Sequence, residues 1–254
     1  MNQSVIKALK LLDYFTEETP ELTLKDITIQ SNLPKATAYR LLSSLEQEGF
    51  LVKSKESEYD SRYRLGIKLM ELGYRVADQI EIRRIAKPFM ESLAHEINEV
   101  IHLAIANDDK ATYIEKVDSK RALRLYTKIG KTVPLYLGSG PKLLLAFLHS
   151  DKQLRILREL SMSSVNESAQ IDLEDLKLEL EVIQTQGYSV SKGEQDHDTT
   201  GISYPIFNHK KEVIAALAVS GLSSHFEGDN LRLIKDAASR FAHQISINMG
   251  YRQY

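Results

Sequence analysis

Between residues 23 and 66 the sequence sets starts, stops and turns at spacings that suit one small architecture. Thr23 is a good N-cap, and Asp26 three residues later can bond back to it, as in a capping box. Ser31-Asn32-Leu33 makes a short turn. Pro34 opens the next helix at its first position, where its missing N–H costs nothing. Ala38, Leu41, Leu42 and Leu45 give that helix an apolar side, and Gly49 ends it as a C′ residue. Residues 50–53 read as a strand, 54–61 as a polar turn and 62–65 as the returning strand, closed by Gly66. Upstream, Val5, Ala8, Leu9, Leu12 and Phe15 recur at spacings of three and four, so an earlier helix runs until Glu17-Glu18-Thr19-Pro20 breaks it. Three short helices and a hairpin form the layout of a winged helix-turn-helix over residues 1–66, with the helix-turn-helix at about 25–44.

The second helix of such a motif enters the major groove and offers its N-terminal residues to base edges. Here those are Lys35, Ala36, Thr37, Tyr39 and Arg40, with Ser43 one turn beyond Tyr39. Arg40 has the fork geometry for guanine or phosphate, Lys35 reaches either, Thr37 can donate to phosphate or touch a thymine methyl, and the Tyr39 hydroxyl suits phosphate. Lys plus Arg equal Asp plus Glu over residues 1–68, so contact with DNA depends on local clustering. Glu56 and Glu58 make the wing tip acidic, which places the wing's contact at Arg62, at its base. A plain three-helix bundle with solvated polar residues would explain the helix alone, though not the hairpin after it.

Residues 67–80 read as a linking helix with Leu69, Leu72, Val76 and Ile80 on one side. That stripe suits a dimer contact or packing on its own chain. From 81 onward helices alternate with strand pairs joined by short turns: a helix over 83–96 interrupted by Pro88, strands at 100–106, 111–117 and 123–128, helices at 141–149, 151–160 and 171–186, strands at 188–190, 202–207 and 213–220, and a closing helix over 229–248. The expected fold class is α+β in two domains, the second an α/β domain, over 81–254, with a mainly antiparallel sheet.

Hydrophobic residues at 43% and charged residues at 27% are ordinary for a globular chain, and the net charge of -2 does not advertise a nucleic-acid partner. With no cysteine there is no disulfide, thiol nucleophile or thiolate metal site. No signal peptide or membrane span is legible, so the expected location is the cytoplasm, at the nucleoid. Asp196-His197-Asp198 has suitable metal-ligand types but no partner cluster at a fixed spacing, so no metal or cofactor is expected. Ser139 with His197 and Asp198 raises a serine hydrolase, yet the Gly-x-Ser-x-Gly spacing is missing, and no enzyme activity is expected. A protein-interaction adaptor would leave the pattern from Lys35 to Arg40 unexplained. Residues 138–142, Gly-Ser-Gly-Pro-Lys, lack the spacing of a P-loop. Their place at a helix start offers N–H donors to an anion, while a tight turn needing glycine explains them equally well.

Residues 4–12, 22–27, 33–42 and 63–66, then 123–125, Gly130, Pro134, 142–148, 187–188, Glu194, 205–206 and 215–221, together resemble the isocitrate-lyase-regulator (IclR) family of bacterial transcription factors along essentially the whole chain. The resemblance implies a GAF-like effector domain, dimers or dimers of dimers on an imperfectly palindromic operator, and control of a neighbouring catabolic operon, commonly by repression. It also implies an effector pocket at Leu125, Ser139, Gly140, Gly201 and Ser220. The chain departs from the family pattern where Gly201 replaces a frequent cysteine, Ala218 one of two serines and Ser191 an acid; Asp196, His197 and Asp198 also bring new charge beside the pocket, and Gly138-Ser139-Gly140-Pro141 differs from the family's commoner loop. The expected ligand is a small polar, anionic metabolite, and glycine at 201 implies room for more than a two- or three-carbon acid.

Overall fold

The computed structural model describes residues 2–55, 61–79, 81–121, 127–162 and 172–252. The chain divides into two compact units, Met1–Gln79 and Ile80–Tyr254.

In the first unit, α1 (Gln3–Lys10) is capped by Asn2, whose side chain accepts from the N–H groups of Ser4 and Val5, and runs into a 3-10 turn, Leu11–Tyr14. A short strand, β1 (Glu21–Thr23), leads into α2 (Leu24–Ser31). The capping box forms as the sequence suggests. Thr23 Oγ1 accepts from the Asp26 N–H at 3.2 Å, and Asp26 accepts from the Thr23 hydroxyl and N–H at 2.7 and 2.9 Å. Those bonds, the hydroxyl's first, hold the Asp26 carboxyl below its ordinary pKa. In α3 (Lys35–Gln47) Pro34 is the cap rather than the first helical residue, and its carbonyl accepts from the Thr37 and Ala38 N–H groups. The helix ends in a Schellman motif, with Phe50 N–H on Leu45 O at 2.8 Å and Gly49 at φ 78°.

β2 (Leu51–Lys55) and β3 (Ser61–Leu65) form the hairpin, and β1 adds to β3, giving the order β1-β3-β2. The wing tip, with Glu56 and Glu58, lies outside the described residues. Gly66 is obligatory, because a Cβ there would stand 2.1 Å from the Gly49 carbonyl oxygen. The core joins Leu11, Phe15, Leu22, Ile27, Leu42 and Leu51. The face expected of the first helix is corrected by this packing. Val5 and Leu9 are 52% and 51% exposed, whereas Ala8 and Leu12 are half-buried and Phe15 is buried as expected; Leu11, where the 3-10 turn begins, is buried in addition. In α4 (Ile67–Gln79) Leu69 and Leu72 are half-buried; Ile80 and the Val76 side chain lie outside the described residues.

The second unit is built on a six-stranded sheet, antiparallel at every pairing, in the order β6-β5-β4-β9-β8-β7. Its strands are β4 (Val100–Asn107), β5 (Lys110–Val117), β6 (Thr132–Pro134), β7 (Ser189–Lys192), β8 (Thr199–Phe207) and β9 (Val213–Leu222). The strand expected at 123–128 falls mostly outside the described residues, and β6 is a short edge strand that the sequence did not suggest. Side chains alternate across the sheet. Ile101, Leu103, Leu217 and Val219 face α5 (Glu81–Ile97) and α9 (Gly228–Asn248) in one core. Ala104 and Ala216 lie in a second core with α6 (Ser139–Ala146), α7 (Ser150–Ser161) and α8 (Leu173–Gln186). Pro88 does not interrupt α5, which is continuous. Proline forfeits one backbone bond, and burial of Ile82, Ala86, Met90 and Leu93 on the same side outweighs that loss. Small residues on the inner face of β9 let α6 approach closely. A Cβ on Gly140 would lie 3.7 Å from the Ala218 Cβ and 3.9 Å from that of Ala216.

Candidate nucleic-acid interface and ligand cavity

α3 buries Ala38, Leu41, Leu42 and Leu45 and turns Lys35, Ala36, Tyr39 and Arg40 outward, with Tyr39 50% exposed. Spacings of three and four residues place Ala36, Tyr39, Arg40 and Ser43 along one stripe. Ser43 and Thr37 are half-buried. Arg62 lies on the middle strand, half-buried, where its charge helps to lower the Asp26 pKa.

Beside this stripe is a cleft of about 500 Å³, whose lining includes Lys25, Thr28, Lys35, Tyr39, Lys53 and Ser61. Lys53 Nζ stands 5.6 Å from the ring centroids of both Tyr39 and Tyr63, within cation–π range. Burial raises the Tyr63 pKa, so its phenol stays protonated. Three ammonium groups and the hydroxyls of Thr23, Thr28 and Ser61 around one concavity have the chemistry that suits a phosphate backbone. Of these residues the sequence reading singled out only Lys35 and Tyr39 for DNA contact. Lys25, Thr28, Lys53 and Ser61 come from three other elements, and only the fold brings them together. The available signal was Lys25 in the first turn of the first motif helix.

In the second unit Ser139, Gly140, Gly201 and Ser220 line a single cavity of about 40 Å³. Leu125 lies outside the described residues. Ser191 and Ala218 also line the cavity, together with His102, Tyr113, Thr127 and Gln195, none of which the sequence reading placed there. The expected spare room at residue 201 is absent. A Cβ on Gly201 would lie 2.7 Å from Ser139 Oγ and 3.2 Å from Ser191 Oγ, so two hydroxyls already take up the space. Ser139 is fixed: its Oγ accepts from Ser203 at 2.8 Å and its carbonyl from Ser189 at 2.6 Å.

The loop before α6 is a glycine turn. Gly138 has φ 95°, and a Cβ there would meet Gln195 Nε2 at 2.5 Å. Glu194 accepts from the Gly138 N–H at 2.9 Å and from Lys142 Nζ at 2.7 Å. Lys142 is buried and also pairs with Glu179. The Ser139 and Gly140 N–H groups make no hydrogen bond among the described residues, and Pro141 has none to give. His197 is exposed, and the Ser139 hydroxyl meets Ser203 rather than an imidazole. Among the described residues no three His, Asp or Glu side chains are grouped to hold a metal ion, and no helix is long and apolar enough to cross a membrane.

Residues 4–55 match the IclR helix-turn-helix domain, and residues 74–247 match the C-terminal domain of the bacterial transcriptional regulator IclR. The chain is 34% identical over 250 residues to the HTH-type transcriptional regulator KipR of Bacillus subtilis, covering 98% of each chain. A crystal structure of an IclR transcriptional regulator from Alicyclobacillus acidocaldarius superposes with a TM-score of 0.82 at 25% identity, over 98% of this chain and all of that one. An IclR homologue from Microbacterium hydrocarbonoxydans, crystallised with 4-hydroxybenzoate, shares the fold at a TM-score of 0.75 and 22% identity, over 97% of this chain and all of that one.

Proposed function

The chain belongs to the IclR family of bacterial transcriptional regulators, with an N-terminal helix-turn-helix and a C-terminal effector domain, and from that premise we propose that it represses a neighbouring catabolic operon until a small metabolite fills the cavity beneath α6. Relatives of this kind are named as regulators, not enzymes. Repression and the choice of a neighbouring operon follow the family's common habit. The chain acts as a dimer or a dimer of dimers, so the operator is an imperfect palindrome whose half-sites mirror the protein's symmetry.

DNA reading is assigned to the outward stripe of α3. Arg40 and Lys35 read base edges or phosphates. Ala36 can touch a thymine methyl, and Thr37, Tyr39 and Ser43 bond to phosphate. Lys25 and Lys53 in the adjoining cleft, with Arg62 at the wing's base, hold the sugar-phosphate strand. The observation that carries this reading is the coincidence of the outward α3 residues with the lysine-lined cleft on one surface of the motif. Arg40→Ala tests it. Losing one base interaction costs about 1–3 kcal/mol per half-site, and a dimer loses it twice. Footprinting on the DNA upstream of the gene is expected to show both half-sites protected by the wild type and neither by the variant, with the variant's melting curve unchanged. A wild-type footprint from the variant places Arg40 off the DNA.

The effector reading rests on four residues from three segments, Ser139 and Gly140 on α6, Gly201 on β8 and Ser220 on β9, meeting at one cavity. The family expectation adds Leu125 to this set. A relative of the same fold, crystallised with 4-hydroxybenzoate, supports a small-molecule ligand. Among the described residues no Lys or Arg lines the cavity, while the acid Asp196 does. Against the acid Asp196 stands the half-unit of positive charge at the start of α6, offered through the Ser139 and Gly140 N–H groups, which suits a ligand with at most one carboxylate bound at those N–H groups. Binding acts on DNA by changing the spacing of the paired reading heads. That requires different affinities for the two arrangements.

A further inference from the structure

His102 is 2% exposed, lines the cavity from β4 and pairs in register with Ala218, yet its Nε2 has no hydrogen-bond partner among the described residues. A buried nitrogen left unpaired is costly, and one beside a polar cavity calls for a partner within it. The Tyr113 ring lies 5.3 Å away, centroid to centroid, tilted by 57°. Gln195 Nε2 donates to the Tyr113 hydroxyl at 3.4 Å, which leaves the phenolic proton free to donate elsewhere. Half of the residues lining the cavity carry a hydroxyl group.

Burial, reinforced by the Lys116 charge, pushes the His102 pKa to about 3, with Asp118 opposing and Lys131 assisting. The imidazole is therefore neutral and keeps one donor nitrogen and one acceptor nitrogen. A carboxylate only accepts and an ammonium only donates, so each suits a single tautomer. A hydroxyl suits both.

We infer that His102 is the specificity-determining residue of the cavity, reading a hydroxyl on the effector, so that the ligand is a small hydroxy acid rather than a simple carboxylic acid. The inference rests on the effector-site reading above. The volume, about 40 Å³, holds about three water molecules, so acids of two or three carbons are the probes nearest to it in size.

Matched acids differing by one hydroxyl test this: glycolate against acetate, and lactate against propionate, by thermal melting and titration calorimetry of the full chain at up to about 10 mM ligand. The hydroxy acid of at least one pair is expected to bind about tenfold or more tightly than its partner, since the partner leaves Nε2 unpaired. His102→Phe is expected to bring that ratio to about one. His102→Asn, which keeps a donor and an acceptor, is expected to restore part of it and covers the case in which the phenylalanine variant fails to fold. Equal binding within both pairs, binding by none of the four, or a preference that survives His102→Phe overturns the inference. Ser220→Leu, which fills the cavity, tells this failure from failure of the site itself. Hydroxyl-blind binding that Ser220→Leu abolishes removes only the role of His102, whereas binding that it leaves intact removes the site.

Discussion

Acidification between pH 7 and 5 should destabilise this protein through one side chain, His102. Its folded-state pKa of about 3 lies far below the ordinary 6.5 because burial disfavours the imidazolium, with Lys116 adding to the effect. Below pH 6.5 the unfolded chain takes up a proton at this imidazole and the folded chain does not. The unfolded state therefore binds more protons, and stability falls as the pH drops, from 6.5 down to about 3. At 1.36 kcal/mol per pH unit the loss is about 2 kcal/mol by pH 5. Carboxylates titrate mostly below that point. The chain has six other histidines among its 7, but they remain in any His102 variant and cancel in the comparison. The assay is urea unfolding by circular dichroism at pH 7 and pH 5, wild type against His102→Asn, fitted as two transitions because the two units need not unfold together. The transition of interest is the one that the substitution moves. The variant will be less stable at pH 7 from poorer packing, so the informative quantity is the drop between the two pH values. The wild type should lose about 2 kcal/mol more than the variant. Equal drops would refute the claim that His102 is held neutral by the fold.

Two further outcomes follow from the first unit. Gly66→Ala would set a Cβ 2.1 Å from the Gly49 carbonyl oxygen, where neither atom belongs to a flexible side chain; it should cost at least the upper part of the about 1–3 kcal/mol range for overpacking, read as an earlier melting transition, and an unchanged melt would contradict the close approach of the wing to the end of α3. Lys53→Ala should weaken operator and random DNA alike and reduce the slope of log affinity against log salt by about 0.9 for each phosphate that is no longer neutralised, so a selective loss on the operator alone would assign Lys53 to base reading instead.

What the sequence made legible was what neighbouring residues decide. Thr23 and Asp26 are three positions apart, and their capping box forms because its geometry is local. Gly49 and Gly66 could be marked as turn residues for the same reason, although the carbonyl oxygen that makes Gly66 obligatory comes from Gly49, seventeen positions earlier in the chain. The strands β1 and β6 escaped; each has only three residues, which gives alternation little to register. Along the first helix Ala8, Leu12 and Phe15 were legible as inward, whereas the burial of Leu11 was not, because the change from α to 3-10 geometry after Lys10 shifts the phase there and no single residue announces it. Pro88 misled for the opposite reason: its local cost is real, and a long-range core outweighs it.

The cavity shows the same division more sharply. Family resemblance named Ser139, Gly140, Gly201 and Ser220, and all four line it, yet the inference drawn from Gly201 about space had the wrong sign. A glycine opens room only if nothing else moves into it. Here Ser139, held by Ser203 and Ser189, and Ser191 on β7 occupy the place of the missing Cβ. The loop from Gly138 to Lys142 had two readings, a tight turn or a ligand-binding helix start, and the geometry makes them compatible. The φ of 95° favours glycine at 138, and a Cβ there would also push the Gln195 amide aside. Glu194 then spends its oxygens on the Gly138 N–H and on Lys142, leaving the next two N–H groups to the cavity. Because Glu194 and Gln195 are adjacent, the segment that pins this turn also supplies the side chain bonded to Tyr113. A ligand that engages the Tyr113 hydroxyl therefore meets the same hydrogen-bond network that fixes the start of α6.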